Sequence, residues 1–301
     1  MRARGGSAVS PGETLANGAS AGSGAYKGRA GRINYRWWSA ADPRWVVALA
    51  HGFGDHSGRW RRYADTLVGW GGAVFACDHR GHGLSEGARV EIADFNSVAL
   101  DFLDLRAVAE FPAGVPVVVH GHSMGGLIAV LAALQDPAAI KGLVASSTRL
   151  GPWPVAELVL ESARRGEPLP PEAKGDPLLD RATQLAPTAL SRDPAVVEQF
   201  KDDTLAYKGT FPLLTLEAYL GGQAQLAQAR PLSLEVPTLY LHGSEDPVIP
   251  YRGSVETLAR LVPHDLEVRV FPGARHSIYN EINRDEILSV LRSFLTRVSS
   301  W

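Results

Sequence analysis

Short apolar runs punctuate the chain at 45–50, 73–77, 115–120, 141–146, 237–242 and 266–271, each the length of a buried strand and too short for a buried helix. Between these runs the apolar positions change period. Phe95, Val98, Phe102, Leu105 and Val108 recur at spacings of three and four, with Asp94, Asp101, Asp104 and Glu110 on the other side, which predicts a surface helix facing a sheet. Near the C-terminus Ile287, Val290, Leu291, Phe294, Leu295 and Val298 repeat that pattern. Strands alternating with helices of this length predict parallel βαβ units in an α/β architecture whose sheet is covered on both faces. Ahead of them, Ile33-Asn34-Tyr35-Arg36-Trp37-Trp38 alternates loosely and reads as an exposed or edge strand.

Two segments break the alternation. Residues 1–31 are dominated by Gly, Ala and Ser without apolar period and read as a flexible tail. Residues 148–228 are punctuated by Pro152, Pro154, Pro168, Pro170, Pro171 and Pro177, with helical pieces around 155–164 and 193–201. A loop of that length without structure of its own is foreign to a compact domain, so an inserted helical subdomain is expected there, dividing a core made of 32–147 and 229–301.

Composition narrows the function classes. Of 301 residues, 45% are hydrophobic and 21% charged, an ordinary globular balance. Thirty basic against 32 acidic side chains give a net charge of −2, so no overall basic field exists to hold a nucleic-acid backbone. No apolar run approaches the roughly 18 residues of a membrane span, and the N-terminal stretch lacks the apolar core of a secretory signal. The single cysteine, Cys77, precludes an internal disulfide and lies in the apolar run 73–77, where a buried inert thiol is expected. Together these absences lead to the expectation of a cytoplasmic protein, with weak membrane-surface contact left open.

The chemistry concentrates at Val117-Val118-Val119-His120-Gly121-His122-Ser123-Met124-Gly125-Gly126, a β-branched run that meets Gly-His-Ser-Met-Gly and continues into the helical Leu127-Ile128-Ala129-Val130. Strand, G-x-S-x-G and helix in that order are the context of a nucleophile elbow, where glycines let a strained serine protrude. The following helix aims free N–H groups at the reacting centre, so Met124 N–H is one expected oxyanion donor. A serine hydroxyl needs a base. In elbows of this kind the acid and base follow the serine, which leaves His242, His264 and His276, and only His276 follows the last strand. The orienting carboxylate is sought after the strand 237–242, where Glu245 and Asp246 both stand. A second donor, Phe53 N–H, is expected from His51-Gly52-Phe53-Gly54-Asp55-His56, in which the backbone and not the imidazoles of His51 and His56 is the working part.

These residues resemble a known family. The segments His51-Gly52-Phe53-Gly54-Asp55-His56-Ser57-Gly58-Arg59, Asp78-His79-Arg80-Gly81-His82-Gly83-Leu84-Ser85-Glu86-Gly87, the elbow, His242-Gly243-Ser244-Glu245-Asp246 and Gly273-Ala274-Arg275-His276 are similar to the monoacylglycerol lipase and lysophospholipase-like branch (serine aminopeptidase S33-type) of the α/β-hydrolases. The resemblance spans about 32–299 and implies the α/β-hydrolase fold, a mostly parallel central sheet flanked by helices with an inserted helical cap. It implies hydrolysis of carboxylic esters, often monoacylglycerols, with no cofactor, Ser123 as nucleophile, Asp246 as acid, His276 as base, and Phe53 and Met124 as oxyanion donors. It also implies a small lipid ester as partner, bound in an apolar tunnel under the cap, where Trp153 and Leu158 are the candidate contacts. Oligomeric state is not implied.

Other readings share the site. The same triad serves a general carboxylesterase, a lysophospholipase or a lactonase, and a thioester or a diketone carbon–carbon bond are further electrophiles. A hydrolase-fold receptor with little turnover is the reading from another class. An epoxide hydrolase or dehalogenase is disfavoured, since those carry aspartate where Ser123 stands. Asp78, His79 and His82, or His120 with His122, lack further ligands at structural-zinc spacing; the 78–83 turn reads instead as a buttress of the elbow. The apolar side chains around Trp153, Val155, Leu158, Val159 and Leu160 suit either lipid contact or packing of cap on body, and Arg59, Arg61 and Arg62 read as a solvated helix face.

Overall fold

The computed structural model describes residues 8–9, 13–14, 18–183, 185–231 and 233–300. The described strands are β1 (Ala8–Val9), β2 (Glu13–Thr14), β3 (Ser20–Gly28), β4 (Gly31–Ser39), β5 (Val46–Ala50), β6 (Ala73–Cys77), β7 (Val117–His122), β8 (Gly142–Ser146), β9 (Thr238–Gly243) and β10 (Leu266–Phe271). They form one sheet in the order β1-β3-β4-β6-β5-β7-β8-β9-β10, with β2 beside β3. From β6 through β10 every pairing is parallel, while β3, β4 and their neighbours run antiparallel. The β7 strand runs two residues later than the apolar pattern suggests. Pro116 has no N–H to give a ladder, and Gly121 and His122 extend the pairing opposite Ala145 and Ser146.

Two apolar layers sandwich the sheet because strand residues alternate in direction. Val46, Ala48 and Val119 face α2 (Phe95–Val108) and α3 (Met124–Gln135), whereas Val47, Leu49 and Val118 face α1 (Arg61–Gly69) and α8 (Arg284–Ser299). Each fully buried Leu or Phe in these layers contributes roughly 1.5–3 kcal/mol. Between β8 and β9 the chain leaves the sheet for α4 (Pro154–Arg164), α5 (Pro194–Asp202) and α6 (Leu213–Gln228); α7 (Arg252–Leu261) lies between β9 and β10. The α6 helix is not signalled by the sequence pattern, since Gly221-Gly222 interrupts its apolar stripe. Gly222 lies there against Leu127 of α3.

The tail expected over residues 1–31 does not hold for its described part. Nine residues, Ser20–Gly28, pair antiparallel with β4 from Ser20 opposite Ser39 to Gly28 opposite Gly31. The small residues that look like a linker make room for rings: a Cβ at Gly22 would strike the indole of Trp37, and one at Gly24 the phenol of Tyr35. The remaining residues of that stretch lie outside those described. Accordingly β4 is no edge strand; it sits between β3 and β6 with Tyr35 and Trp38 buried. Asp101 of α2, assigned by pattern to the polar side, is buried beneath this hairpin and paired with Arg29 at 2.8 Å.

Candidate active site

The connections leaving β5 and β7 run to opposite sides of the sheet, to β6 and β8 respectively. A crevice opens at such a switch point beyond the strands' C-terminal ends. Ser123 stands there, between β7 and α3, with φ +54° and ψ −123°. That conformation is strained for a non-glycine residue and persists only because its surroundings dictate it. Ser123 N–H donates to Ser146 O at 2.9 Å. The neighbouring glycines are steric necessities: a Cβ at Gly121 would collide with the backbone of Gly125 and Gly126, and one at Gly125 with the carbonyls of Ala50 and His51.

Although Ser123 is the N-cap of α3, its side chain makes no capping bond. Its Oγ lies 3.0 Å from Nε2 of His276 instead. His276 follows β10, and its Nδ1 lies 2.8 Å from Oδ2 of Asp246, which follows β9. Donation of the Nδ1 proton to the carboxylate leaves Nε2 with a lone pair facing the serine hydroxyl. Of the two acidic residues there, Asp246 makes the contact. Its Oδ1 accepts from Val248 N–H at 2.8 Å and Ile249 N–H at 3.1 Å, which holds the carboxylate plane. Burial by itself would raise this carboxyl's pKa, but the charge on His276 and hydrogen bonds from His242 and His276 prevail, leaving it well below the usual carboxylate range.

His242, one of the histidines considered for the base, is instead a second imidazole on the carboxylate. Its Nε2 lies 3.3 Å from Asp246 Oδ2 and 2.9 Å from Ile249 O, while Tyr240 Oη meets Nδ1 at 2.8 Å. Its position four residues before Asp246 was visible in the sequence; its pairing with the carboxylate was not. His122 is buried beside His276, ring centroids 5.2 Å apart, and burial, with the adjacent His276 second, pushes its pKa well below the ordinary imidazole value.

The loop after β5 supplies the other wall. The N–H groups of Phe53 and Met124 donate to no acceptor among the described residues, and both residues line the pocket that contains Ser123 and His276. His51 orients this loop. His79 N–H donates to His51 Nε2 at 3.1 Å, so the ring proton is on Nδ1, which donates to Gly52 O at 2.8 Å. Because a trans peptide is planar, holding the Gly52 carbonyl on one side turns the Phe53 N–H of the same peptide to the other. The sequence reading left the His51 side chain idle; a histidine immediately before the first glycine of such a loop was the available signal. The 78–83 turn likewise braces this loop and not the elbow: Asp78 accepts from Ser57 N–H at 2.7 Å and Leu84 N–H at 2.9 Å.

The pocket around Ser123 and His276 holds about 820 Å³ of empty space, the open solvent at its mouth included. The 147–237 stretch contributes Trp153, Leu178, Phe211 and Tyr219 to its walls. Phe211 stacks on Phe53 with centroids 4.0 Å apart. Of the two anticipated contacts, Trp153 is buried in the wall, while Leu158 is 40% exposed on the outer side of α4 and does not line the pocket. Arg59 also departs from the solvated face expected of it: it pairs with Asp55 at 2.9 Å and Asp203 at 3.5 Å and lines the pocket, whereas Arg61 and Arg62 are exposed. Cys77 is buried, and burial pushes its thiol pKa up.

No helix among the described residues is long and apolar enough to cross a membrane. The family model described as serine aminopeptidase, S33 matches residues 41–283. The chain is 34% identical over 267 residues to the monoacylglycerol lipase of Mycolicibacterium smegmatis, covering 88% of this chain and 92% of that one. It is 31% identical over 250 residues to the monoglyceride lipase of Homo sapiens, covering 82% and 80% respectively. The fold is similar to that of a soluble variant of the Saccharomyces cerevisiae monoglyceride lipase solved with a substrate analog, with a TM-score of 0.75, 21% identity and coverage of 91% of this chain and 94% of that one. This chain therefore belongs to the serine aminopeptidase S33 family, within the monoacylglycerol lipase-like branch of the α/β-hydrolases, and is a carboxylic ester hydrolase.

Proposed function

We propose that the protein hydrolyses small lipid esters, monoacylglycerols foremost, through an acyl-enzyme formed on Ser123. The observation that carries this reading is the line Ser123 Oγ, His276, Asp246, with separations of 3.0 and 2.8 Å. His276 Nε2 takes the Ser123 proton as Oγ bonds to the ester carbonyl carbon, and the carbonyl oxygen becomes an oxyanion between Phe53 N–H and Met124 N–H. Collapse breaks the carbon–oxygen ester bond, and the imidazolium gives its proton to the departing alcohol. Water then loses a proton to the same Nε2 and attacks the acyl carbon, releasing the acid and returning the proton to Ser123.

Residues 148–228 act in this scheme as the cap that carries the acyl wall. The apolar side chains of Trp153, Leu178 and Phe211, together with two similar lipases among the relatives, support a fatty acyl chain as the group bound. Leu213 and Leu214, 40% and 46% exposed at the start of α6, support contact of the cap with a lipid surface.

The test is hydrolysis of monoacylglycerols and para-nitrophenyl esters of graded chain length by the wild type and by Ser123→Ala. The variant is expected to lose at least about 10⁴-fold in kcat, together with labelling by a fluorophosphonate probe. Near wild-type turnover by Ser123→Ala would sink the mechanism. Wild-type protein that is both silent and barely labelled would favour the receptor reading, and turnover restricted to lactones or thioesters would replace the substrate class.

A further inference from the structure

One cation in the pocket meets no hydrogen-bond acceptor among the described residues. Arg149 follows β8 at the entrance to the inserted helices and lines the same cavity as Ser123. Its backbone is pinned, since Tyr219 Oη donates to Arg149 O at 2.7 Å and Gln223 Nε2 does so at 3.3 Å. Its guanidinium, by contrast, makes no ion pair and donates no hydrogen bond to any described residue, and Nε is buried without a partner. The Trp153 ring, 4.6 Å from Cζ, offers only a cation–π contact.

The other charges around the cavity are already spoken for. Asp55, the one carboxylate among the described lining residues, is taken by Arg59. Lys208 Nζ donates to Lys201 O at 2.6 Å. Asp246 is occupied by His276 and by two backbone N–H groups. Burial pulls the Arg149 pKa below the ordinary arginine value, with Asp176 and Asp246 opposing it through space and not by contact. A half-buried arginine whose Nε is buried without an acceptor is unfavourable until a ligand completes it, and a guanidinium fork matches carboxylate or phosphate geometry.

We propose that Arg149 recognises an anionic group on the substrate, so that the preferred esters carry a carboxylate or phosphate at a distance from the scissile bond, with apolar chain between the two ends along Trp153 and Phe211. This rests on the reading of the Ser123 pocket as the site of ester hydrolysis. The anion has two chemical sources. It lies at the far end of the acyl chain, as in a hemiester of a dicarboxylic acid, or on the alcohol, as in a lysophosphatidate.

The experiment measures kcat/KM for para-nitrophenyl hemiesters of a graded series of α,ω-dicarboxylic acids against neutral para-nitrophenyl esters of matched length, and for lysophosphatidate against the monoacylglycerol with the same acyl chain. The wild type is expected to favour the anionic member of one pair. Arg149→Met should lower that anionic-to-neutral ratio by about ten- to a hundred-fold, the scale of losing a charge-assisted hydrogen bond, mainly through KM, and Arg149→Lys should retain most of it. Because the readout is a ratio within each protein, a general loss of rate does not imitate it, and fluorophosphonate labelling of Ser123 reports whether each variant is folded. The hemiester pair responding puts the anion on the acyl side; the lysophosphatidate pair responding puts it on the alcohol. Neutral esters turned over with no anionic preference, or a ratio unmoved by Arg149→Met, would overturn the role of Arg149 alone. Absence of turnover on every ester would overturn the underlying reading as well.

Discussion

The sheet end and the inserted helices meet at the same pocket but are built differently. On the sheet side, Ser123, Asp246 and His276 each leave a different parallel strand, and their positions are fixed by backbone: a strained elbow, glycines packed against carbonyls, and N–H groups on the Asp246 carboxylate. On the inserted side the walls are side chains, aromatic and aliphatic, with an arginine left over. Backbone constraint tolerates almost no change, whereas side-chain walls can be rebuilt one residue at a time. Under the proposed mechanism the chemistry belongs to the sheet and the choice of ester to the insertion.

That division can be broken or sharpened by experiment. The largest effect is expected from Asp246→Asn, which keeps the shape of the group but removes the charge that selects the His276 tautomer. It should cost about 10⁴ in kcat and little in KM for para-nitrophenyl esters; a loss confined to KM would place the residue on the binding side. Next is acid sensitivity of the sheet end. His51, His79, His82, His120 and His122 are all pushed below the ordinary imidazole value by burial, His82 and His120 to about 3. With folded values below unfolded ones, these groups bind protons in the unfolded chain first. Stability should therefore be fully present above about pH 6.5 and fall as the pH drops toward 3, by up to about 1.4 kcal/mol per pH unit for each such histidine. Denaturant unfolding across that range reads the slope, and a flat profile would contradict the burial.

A smaller loss is expected from His51→Ala, which frees the Gly52 carbonyl. Deleting one oxyanion donor outright costs about 10²–10³ in kcat, and loosening it should cost about ten-fold, with KM unchanged. Equal losses in kcat and in stability without that split would reduce His51 to a structural residue. Smallest of all is the outer face of the insertion. Leu213→Ser with Leu214→Ser should slow hydrolysis of micellar monoacylglycerol a few-fold while leaving monomeric soluble esters untouched, by removing apolar area that meets the lipid surface. Equal slowing on both would assign these leucines to packing.

The same contrast explains what the sequence discloses. Parallel strands buried on both faces are continuous apolar runs, and an elbow demands glycines at fixed offsets, so the sheet and the Ser123 region are written in local pattern. The His276–Asp246 separation is not local, and only chain order after the elbow points to it. Three misreadings have one physical origin, compensation by a distant partner. Gly22 and Gly24 look like linker until Trp37 and Tyr35 fill their space. Asp101 looks solvated until Arg29 covers it, and Arg59 until Asp55 and Asp203 do the same. Helix α6 escapes notice because Gly222 serves close packing on Leu127, which no periodicity records.

The two loops that flank Ser123 are each stitched to the insertion through main-chain atoms: Ser277 N–H donates to Leu190 O at 2.7 Å, and Tyr207 N–H to Gly54 O at 2.7 Å. Main-chain stitching is indifferent to the side chains at 190, 207 and 277, whereas Gly54, at φ +71°, has no room for a Cβ beside Tyr207 O. Exchange of the insertion between homologues is thus governed by the route the polypeptide follows past positions 190 and 207. A graft that keeps that route should leave the hydrolytic machinery aligned whatever selectivity it imports, while shortening either crossing should misalign both loops together.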